Sequence, residues 1–217
     1  MQPEQIVKEI QKNIKIWSQA QEKLVVAIDG YAGSGKTTIA NMLEQADENI
    51  VAIHLDDFIK PVEERIELMQ KAEDKSKVFE FSWYDYKKVE EIIQSFKNNT
   101  NTILETVVYD YDKNKYALPK KYDLTKRILV VDGIFLFNTS HSISSILDKK
   151  IYLDIDFNLA DKRRIEREKQ KWGDNYQSED HPDNWTQYFV KAYKRYVEEF
   201  KPQAHADLVV NVLTSVL

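Results

Sequence analysis

Residues Gly30 to Thr37 read Gly-Tyr-Ala-Gly-Ser-Gly-Lys-Thr and match G-x-x-x-x-G-K-[ST], the pattern of a phosphate-binding loop. Its glycines let successive backbone N–H groups turn toward one point, and the positive N-terminal end of the next helix adds to the attraction for phosphate. Lys36 can reach the outer phosphates and Thr37 can hold Mg²⁺. The residues predicted to bind the nucleotide are Gly30, Ala32, Gly33, Ser34, Gly35, Lys36, Thr37 and Thr38.

Carboxylates follow two other apolar runs. Asp56 and Asp57 come after the run 50–54, and Asp132 comes after the run 128–131. Because ligands of an open α/β sheet bind beyond the carboxyl ends of its strands, we expect these residues to meet the phosphate loop. One carboxylate can order Mg²⁺, and another can accept a proton from an attacking hydroxyl group. Either segment alone would also suit a solvated loop or a helix cap.

Helical and strand patterns alternate along the chain, which predicts one α/β domain over residues 1–217. The first apolar run, Leu24 to Ile28, places a strand directly before the phosphate loop. Apolar residues at helical spacing between Ile6 and Trp17 predict an amphipathic helix within residues 1–23. Further predicted strands are 50–54, 103–109, 128–131, 151–155 and 208–212, and further predicted helices are 37–46, 86–97, 158–170 and 184–200. The aromatic, turn-rich segment 103–118 is predicted to be a hairpin.

Composition excludes several classes of protein. Of 217 residues, 42% are hydrophobic, which is enough for one good core, and the net charge of −5 gives no indication of a nucleic-acid or anionic-membrane partner. The absence of cysteine excludes disulfides and thiolate chemistry. No apolar run approaches the length of a membrane span, and residues 1–20 lack a signal-like apolar core, so we expect a cytoplasmic protein.

The phosphate loop and five further segments, taken in order, resemble motifs of the uridine kinase and phosphoribulokinase group of P-loop kinases. The phosphate loop is common to many families, but the ordered set is more specific. The other segments are Leu55-Asp-Asp-Phe58, the hairpin Val108-Tyr-Asp-Tyr111, Val131-Asp-Gly-Ile134, the strand Tyr152-Leu-Asp-Ile-Asp156 with the following Arg163, Arg164 and Arg167, and the closing strand His205-Ala-Asp-Leu-Val-Val210. The resemblance implies a P-loop NTPase fold of the nucleoside monophosphate kinase type, with a parallel five-stranded sheet, helices on both faces and a lid at 158–175.

The resemblance also implies roles for single residues. Asp56 would accept the proton of the substrate hydroxyl, Lys36 and Thr37 would hold ATP and Mg²⁺, and Asp132 would support the metal. Arg164 and Arg167 would neutralise charge during phosphoryl transfer, a task that suits the guanidinium fork. The same helix segment is also typical of a solvated surface laced with ion pairs, because acidic residues alternate with the arginines.

Substrate contacts are expected along the same motifs. The predicted set is Asp57, Phe58, Asp85, Tyr109, Tyr111 and Asn114, with Glu80 as a second candidate for the acidic ribose contact. Where nucleoside kinases carry an aromatic residue after the Asp-x-Phe motif, this chain has Ile59, and the histidine expected in the hairpin falls near Asn114. The tyrosines are equally typical of cross-strand packing in an ordinary hairpin.

The sequence therefore predicts an ATP- and Mg²⁺-dependent kinase that phosphorylates a hydroxyl group of a nucleoside or a related small molecule. An alternative is a kinase for another alcohol, such as pantothenate or a sugar phosphate. A second alternative is a nucleotide-binding switch, although the guanine-specificity motif Asn-Lys-x-Asp is absent from the sequence. A homo-oligomer is compatible with the resemblance, and the sequence indicates no interface.

Overall fold

The computed structural model describes residues 2–99, 103–178, 181 and 184–212. Its central feature is a five-stranded parallel sheet with the strand order β2-β5-β1-β6-β7. These strands are β1 Leu24–Gly30, β2 Ile50–His54, β5 Ile128–Asp132, β6 Lys149–Asp154 and β7 Leu208–Asn211. Every residue of β1 is buried, as expected for a central strand covered on both faces. The predicted parallel five-stranded sheet is thus confirmed.

Helices cover both faces of this sheet. They are α1 Pro3–Trp17, α2 Lys36–Ala46, α3 Val62–Lys71, α4 Lys75–Phe81, α5 Tyr86–Lys97, α6 Ser142–Ile146, α7 Phe157–Trp172 and α8 Thr186–Phe200. Alternate β1 side chains point to opposite faces, so Val26 packs in one core with α1 and α2, while Val25 packs in the other with α5 and α8. Helix α1 lies where the sequence predicted an amphipathic helix, and its buried residues are Ile6, Val7, Ile10 and Ile14.

A separate antiparallel hairpin, β3 Ile103–Asp110 with β4 Lys115–Asp123, lies beside the sheet. It extends five residues beyond the predicted end at 118. The second strand is polar and contains Pro119, so its hydrophobic pattern is weak, but Tyr122 near its end is only 1% exposed. This buried tyrosine ties the end of the hairpin to the core.

Three of the described helices were not predicted from the sequence: α3 and α4, which lie between β2 and α5, and the short α6. Helix α3 buries only Met69, so its apolar periodicity is weak. Asp74 caps the N-terminus of α4, and its carboxylate accepts a hydrogen bond from the backbone N–H of Ser76 at 3.0 Å. Of the helices described, none is long and apolar enough to cross a bilayer.

Candidate active site

The phosphate loop joins β1 to α2, and its glycines meet two separate steric demands. Gly35 caps α2 with φ 91°, a left-handed conformation that side chains rarely adopt. At Gly33, a Cβ atom would lie 2.4 Å from the carbonyl oxygen of Ala160 in α7. The second contact shows that α7 packs directly on the loop, so a larger residue at position 33 would separate the two.

The carboxyl end of β5 lies beside the start of α2. In the sheet register Asp132 pairs with Ile28 on one side and with His54 on the other. The Thr37 hydroxyl donates a hydrogen bond to Asp132 Oδ2 at 2.8 Å, and His54 Nδ1 contacts Asp132 Oδ1. Burial disfavours the charged imidazole, but the hydrogen bond and the charge of Asp132 outweigh it and raise the pKa of His54.

A magnesium ion would fit the pair of oxygens on Thr37 and Asp132. Among the described residues there is no group of three or more His, Cys, Asp or Glu side chains that could hold a metal by themselves. Mg²⁺ commonly binds through one or two protein oxygens and completes its shell with phosphate and water. One hydroxyl and one carboxylate beside a phosphate loop match that mode of binding.

Lys36 folds back over the loop. Its Nζ donates to the carbonyl oxygens of Gly30 at 2.9 Å and Tyr31 at 3.0 Å. Burial lowers the pKa of Lys36, and the carboxylates of Asp29, Asp132 and Asp56 oppose that shift. The ammonium group is therefore held at the mouth of the loop, close to the carboxylates that follow β2 and β5.

Asp56 lies in a short 3₁₀ turn, Leu55–Phe58, directly after β2. The Tyr84 hydroxyl donates to Asp56 Oδ1 at 3.3 Å, and the Tyr111 hydroxyl donates to the main-chain oxygen of Asp56 at 3.2 Å. An isolated antiparallel bridge between Ile59 and Tyr84 fixes the tyrosine beside the turn. The pKa of Asp56 is raised, mainly by desolvation and next by the negative charge of Asp132. A carboxylate with a raised pKa is a better proton acceptor.

The two arginines of α7 have different surroundings. Arg164 is 3% exposed, and its guanidinium binds Asp161 at 3.1 Å and Glu168 at 3.2 Å. Arg167 is exposed, and its positive charge lowers the pKa of both Lys36 and Asp56. Arg167 therefore lies close to the groups expected to meet the transferred phosphate.

These elements enclose a cavity of about 760 Å³. It is lined by Ala32, Gly33, Gly35, Lys36, Thr37, Thr38, Asp56, Ile59, Arg65, Phe79, Trp83, Tyr84, Asp132, Gly133, Ile134, Arg164, Arg167, Glu168, Tyr176, Gln177, Asn184, Trp185, Thr186 and Phe189. Polar groups collect at the phosphate-loop end, and aromatic rings form much of the remaining wall. The structure thus brings the predicted catalytic residues Asp56, Lys36, Arg164 and Arg167 and the predicted metal residues Thr37 and Asp132 to one cavity.

The predicted nucleotide residues Gly30 and Ser34 lie within the loop rather than on the cavity wall. Gly30 ends β1, and its carbonyl accepts from Lys36. Ser34 is 2% exposed, and its hydroxyl has no hydrogen-bond partner among the described residues.

None of the six predicted substrate residues lies on the cavity wall. The Asp57 carboxylate binds Lys120 and Tyr122 of β4, and Phe58 is buried in the core. Asp85 caps α5 by accepting from the Lys88 backbone N–H at 3.1 Å. Substrate contact by these residues stays a prediction.

The hairpin residues of the predicted set form a chain of contacts that ends at the turn carrying Asp56. Asn114, in the hairpin turn, lies 3.4 Å from the Tyr109 hydroxyl, and the Tyr111 ring packs edge-on against the Tyr109 ring. Of these, Tyr111 reaches the turn that carries Asp56. Glu80, the second candidate for the ribose contact, is fully buried and binds Arg195 and Asn138.

Sequence reasoning missed several residues of the site. Asp29 is a fully buried carboxylate within the apolar strand before Gly30, and it accepts from the Tyr196 hydroxyl at 2.6 Å. A lone acidic residue inside a hydrophobic run is the signal that could have revealed it. Arg65, Trp83 and Phe189 lie on elements without a recognised motif, and only the folded chain places them at the cavity.

The model of the Phosphoribulokinase / Uridine kinase family matches residues 25–217. The chain belongs to this family. A curated relative, the uridine kinase of Borrelia duttonii, is 26% identical over 187 residues, which cover 86% of this chain and 85% of the relative. Members of the family are kinases that transfer phosphate to an alcohol group, and this chain is a phosphotransferase of that kind.

Solved structures share the fold of this family member. A possible uridine kinase from Bacillus stearothermophilus superposes with a TM-score of 0.63 at 20% identity, covering 93% of this chain and 98% of that one. The D-glycerate 3-kinase from Cryptococcus neoformans superposes with a TM-score of 0.66 at 14% identity, covering 97% and 96%. At these identities, the likeness shows the P-loop kinase fold alone.

Proposed function

We propose that the protein transfers the γ-phosphate of ATP to a hydroxyl group of a small-molecule acceptor, with Mg²⁺ as the metal and Asp56 as the proton acceptor. The single observation that carries this proposal is that Asp56, Lys36, Thr37 and Asp132 line one cavity at the carboxyl edge of the sheet. Thr37 and Asp132 would hold Mg²⁺, which would supply neutralisation of the charge on the triphosphate.

The transfer needs the protein mainly for positioning and for positive charge. The acceptor oxygen forms a bond to the γ-phosphorus, the bond from that phosphorus to the bridging oxygen breaks, and ADP leaves. Asp56 takes the hydroxyl proton. Desolvation raises the pKa of Asp56 and so makes it a better proton acceptor. Lys36 and Arg167 would donate hydrogen bonds to phosphate oxygens, where charge accumulates in the transition state.

A nucleoside is the acceptor that the sequence predicts, and the similarity to uridine kinases supports it. Trp83 and Tyr84 line the cavity and offer ring faces on which a base could stack. A second candidate, an alcohol that is not a nucleoside, is favoured by one specific observation. The cavity holds the cationic Arg65 over the Trp83 ring, whereas a neutral nucleoside carries no charge to match it.

The experiment that tests the proposed function is ADP release from ATP and Mg²⁺ with a panel of acceptor alcohols, followed by mass spectrometry of the acceptor. A gain of one phosphate group on one acceptor, in step with ADP release, is the expected result. ADP release that is the same with every acceptor and without any would contradict a kinase and favour a nucleotide switch.

A further inference from the structure

Arg65 of α3 is held in place on the wall of the cavity. Its Nε donates to the carbonyl oxygen of Lys60 at 2.8 Å, and its Nη2 donates to the Tyr109 hydroxyl at 3.1 Å. The guanidinium carbon lies 4.9 Å from the centre of the Trp83 ring. The segment before α3, the hairpin and the segment before α5 therefore all contact this side chain, which is only partly exposed.

The charge of Arg65 has no acidic partner within the described part of the chain. By contrast, the buried Arg164 binds Asp161 and the partly buried Arg195 binds Glu80. A guanidinium carries five N–H groups, and the two hydrogen bonds of Arg65 use two of them. The ring faces of Trp83 and Tyr109 attract the guanidinium, but they supply no full negative charge and leave the other N–H groups open for an acceptor. A ligand anion would supply that charge.

The site of this cation is close to the site of phosphoryl transfer. The pKa of Tyr111 is raised, mainly by burial and next by the negative charge of Asp56. The positive charge of Arg65 opposes this rise. The Tyr111 hydroxyl thus lies near both residues. Trp83, which stacks with Arg65, is followed in the chain by Tyr84, which donates to Asp56. A single small molecule can therefore span both side chains.

We propose that Arg65 binds an anionic group of the acceptor, a carboxylate or a phosphate, and that the substrate is a hydroxy acid or a sugar phosphate. The inference rests on the proposed function and narrows it, because it excludes neutral nucleosides. The planar guanidinium fork matches the two oxygens of such a group. The Trp83 ring, itself stacked on Phe79 with centroids 4.1 Å apart, holds the plane of the fork.

The test compares acceptors that differ only in an acidic group. D-glycerate is compared with glycerol, pantothenate with panthenol, and ribose 5-phosphate with ribose, and uridine serves as the nucleoside. Each is assayed with wild type, Arg65→Gln, Arg65→Lys and the control Arg127→Gln, whose side chain is exposed and donates to the Ser18 carbonyl. Titration calorimetry of each anionic compound, with the protein and a non-hydrolysable ATP analogue, measures binding without turnover. Melting curves show whether each variant folds.

We expect at least one anionic compound to be bound and phosphorylated, and its neutral partner not to be. Arg65→Gln should lower kcat/KM for that compound by about 10- to 100-fold, through KM, because charge-assisted hydrogen bonds are lost. Arg65→Lys should retain part of the activity, and neither change should alter KM for ATP. The carboxylate and phosphate members of the panel separate the two kinds of anion.

Uridine turnover equal to that of every anionic compound, unchanged in Arg65→Gln, would overturn the inference and leave the proposed function standing. Equal losses for an anionic compound and its neutral partner would also overturn it, because they would show a purely structural role for Arg65. If no acceptor in the panel is phosphorylated, calorimetry decides. Anion binding that is lost in Arg65→Gln supports the inference, and a lack of binding by any anion overturns it.

Discussion

The hydroxyl of Thr37 donates to the carboxylate of Asp132 at 2.8 Å, although the two residues are 95 positions apart in the chain. The contact exists because β5 lies between β1 and β2 in the sheet, so its end adjoins the loop that leaves β1. Two motifs that are separate in the sequence thereby form one oxygen-lined corner of the cavity. Thr37 and Asp132 would together hold a metal at this corner.

Thr37→Val tests this corner, because valine keeps the shape of the side chain and removes the hydroxyl. We expect the Mg²⁺ concentration for half-maximal activity to rise by about tenfold or more. ADP formation measured against Mg²⁺ concentration gives the value, and the matched control Thr125→Val, in the turn after β4, should behave as wild type. Nucleotide binding in EDTA should be equal in all three proteins. An unchanged Mg²⁺ requirement would argue against the assigned metal site.

The raised pKa of Asp56 predicts the pH dependence of turnover. The base must be deprotonated to act, so kcat/KM should fall as the pH is lowered through the pKa of Asp56. Because that pKa is raised, the fall should occur at a pH above 3.8, the ordinary pKa of the group. The hydrogen bond from Tyr84 lowers this pKa, so Tyr84→Phe should move the acidic limb of the profile to higher pH. A shift to lower pH, or none, would show that Asp56 is not the group that titrates.

The two arginines of α7 should respond differently to substitution. Arg164→Gln breaks a buried ion pair, and such losses destabilise a protein by about 3–5 kcal/mol, so its melting temperature should drop. Arg167→Gln should leave the melting temperature unchanged and lower kcat by about 10²-fold or more, since one charged donor to the transition state is lost. The exposed Lys162→Gln on the same helix is the control. Equal melting temperatures for both arginine variants would contradict this assignment.

Asp29 should make the stability of the protein depend on pH. Burial raises its pKa to about 6 from 3.8, and hydrogen bonds from Tyr196 and two backbone N–H groups reduce the shift. Between these values the folded state binds more protons than the unfolded state, so the free energy of unfolding falls as pH rises, and the loss is complete above about pH 6. The loss amounts to about 3 kcal/mol.

Denaturant melts of wild type and Asp29→Asn at several pH values isolate this contribution, because the variant lacks the titrating group. Relative to wild type, the variant should gain about 3 kcal/mol of unfolding free energy between pH 3 and pH 7. A difference between the two proteins that does not change with pH would show that Asp29 has the same pKa in the folded and unfolded states.

The sheet and the nucleotide end of the site could be predicted from the sequence, for physical reasons. Buried parallel strands such as β1 and β5 are continuous apolar runs, and the phosphate loop needs its glycines at fixed spacing. Parallel strands also bring their carboxyl ends to one edge. Asp56 and Asp132 could therefore be placed near Lys36 from their positions after the strands alone.

The acceptor end could not be predicted in this way. Arg65 meets Tyr109, 44 residues away, through packing of α3 against the hairpin, and neither element has a strong hydrophobic period. Asp57 and Phe58 adjoin the predicted base in the sequence, but the 3₁₀ turn directs one to β4 and the other into the core. Within a tight turn, adjacent residues point in different directions, which a linear motif does not record.

The most direct test of the central claim uses the Asp56→Asn variant and an acceptor that wild type phosphorylates. It measures the turnover of the variant and, separately, the affinity of the variant for ATP. We predict a fall in kcat of about 10²- to 10⁴-fold with ATP affinity unchanged, because the amide cannot take the hydroxyl proton. Asp47→Asn, at the far end of α2, should behave as wild type. Turnover of Asp56→Asn within a few-fold of wild type would contradict the assignment of Asp56 as the proton acceptor.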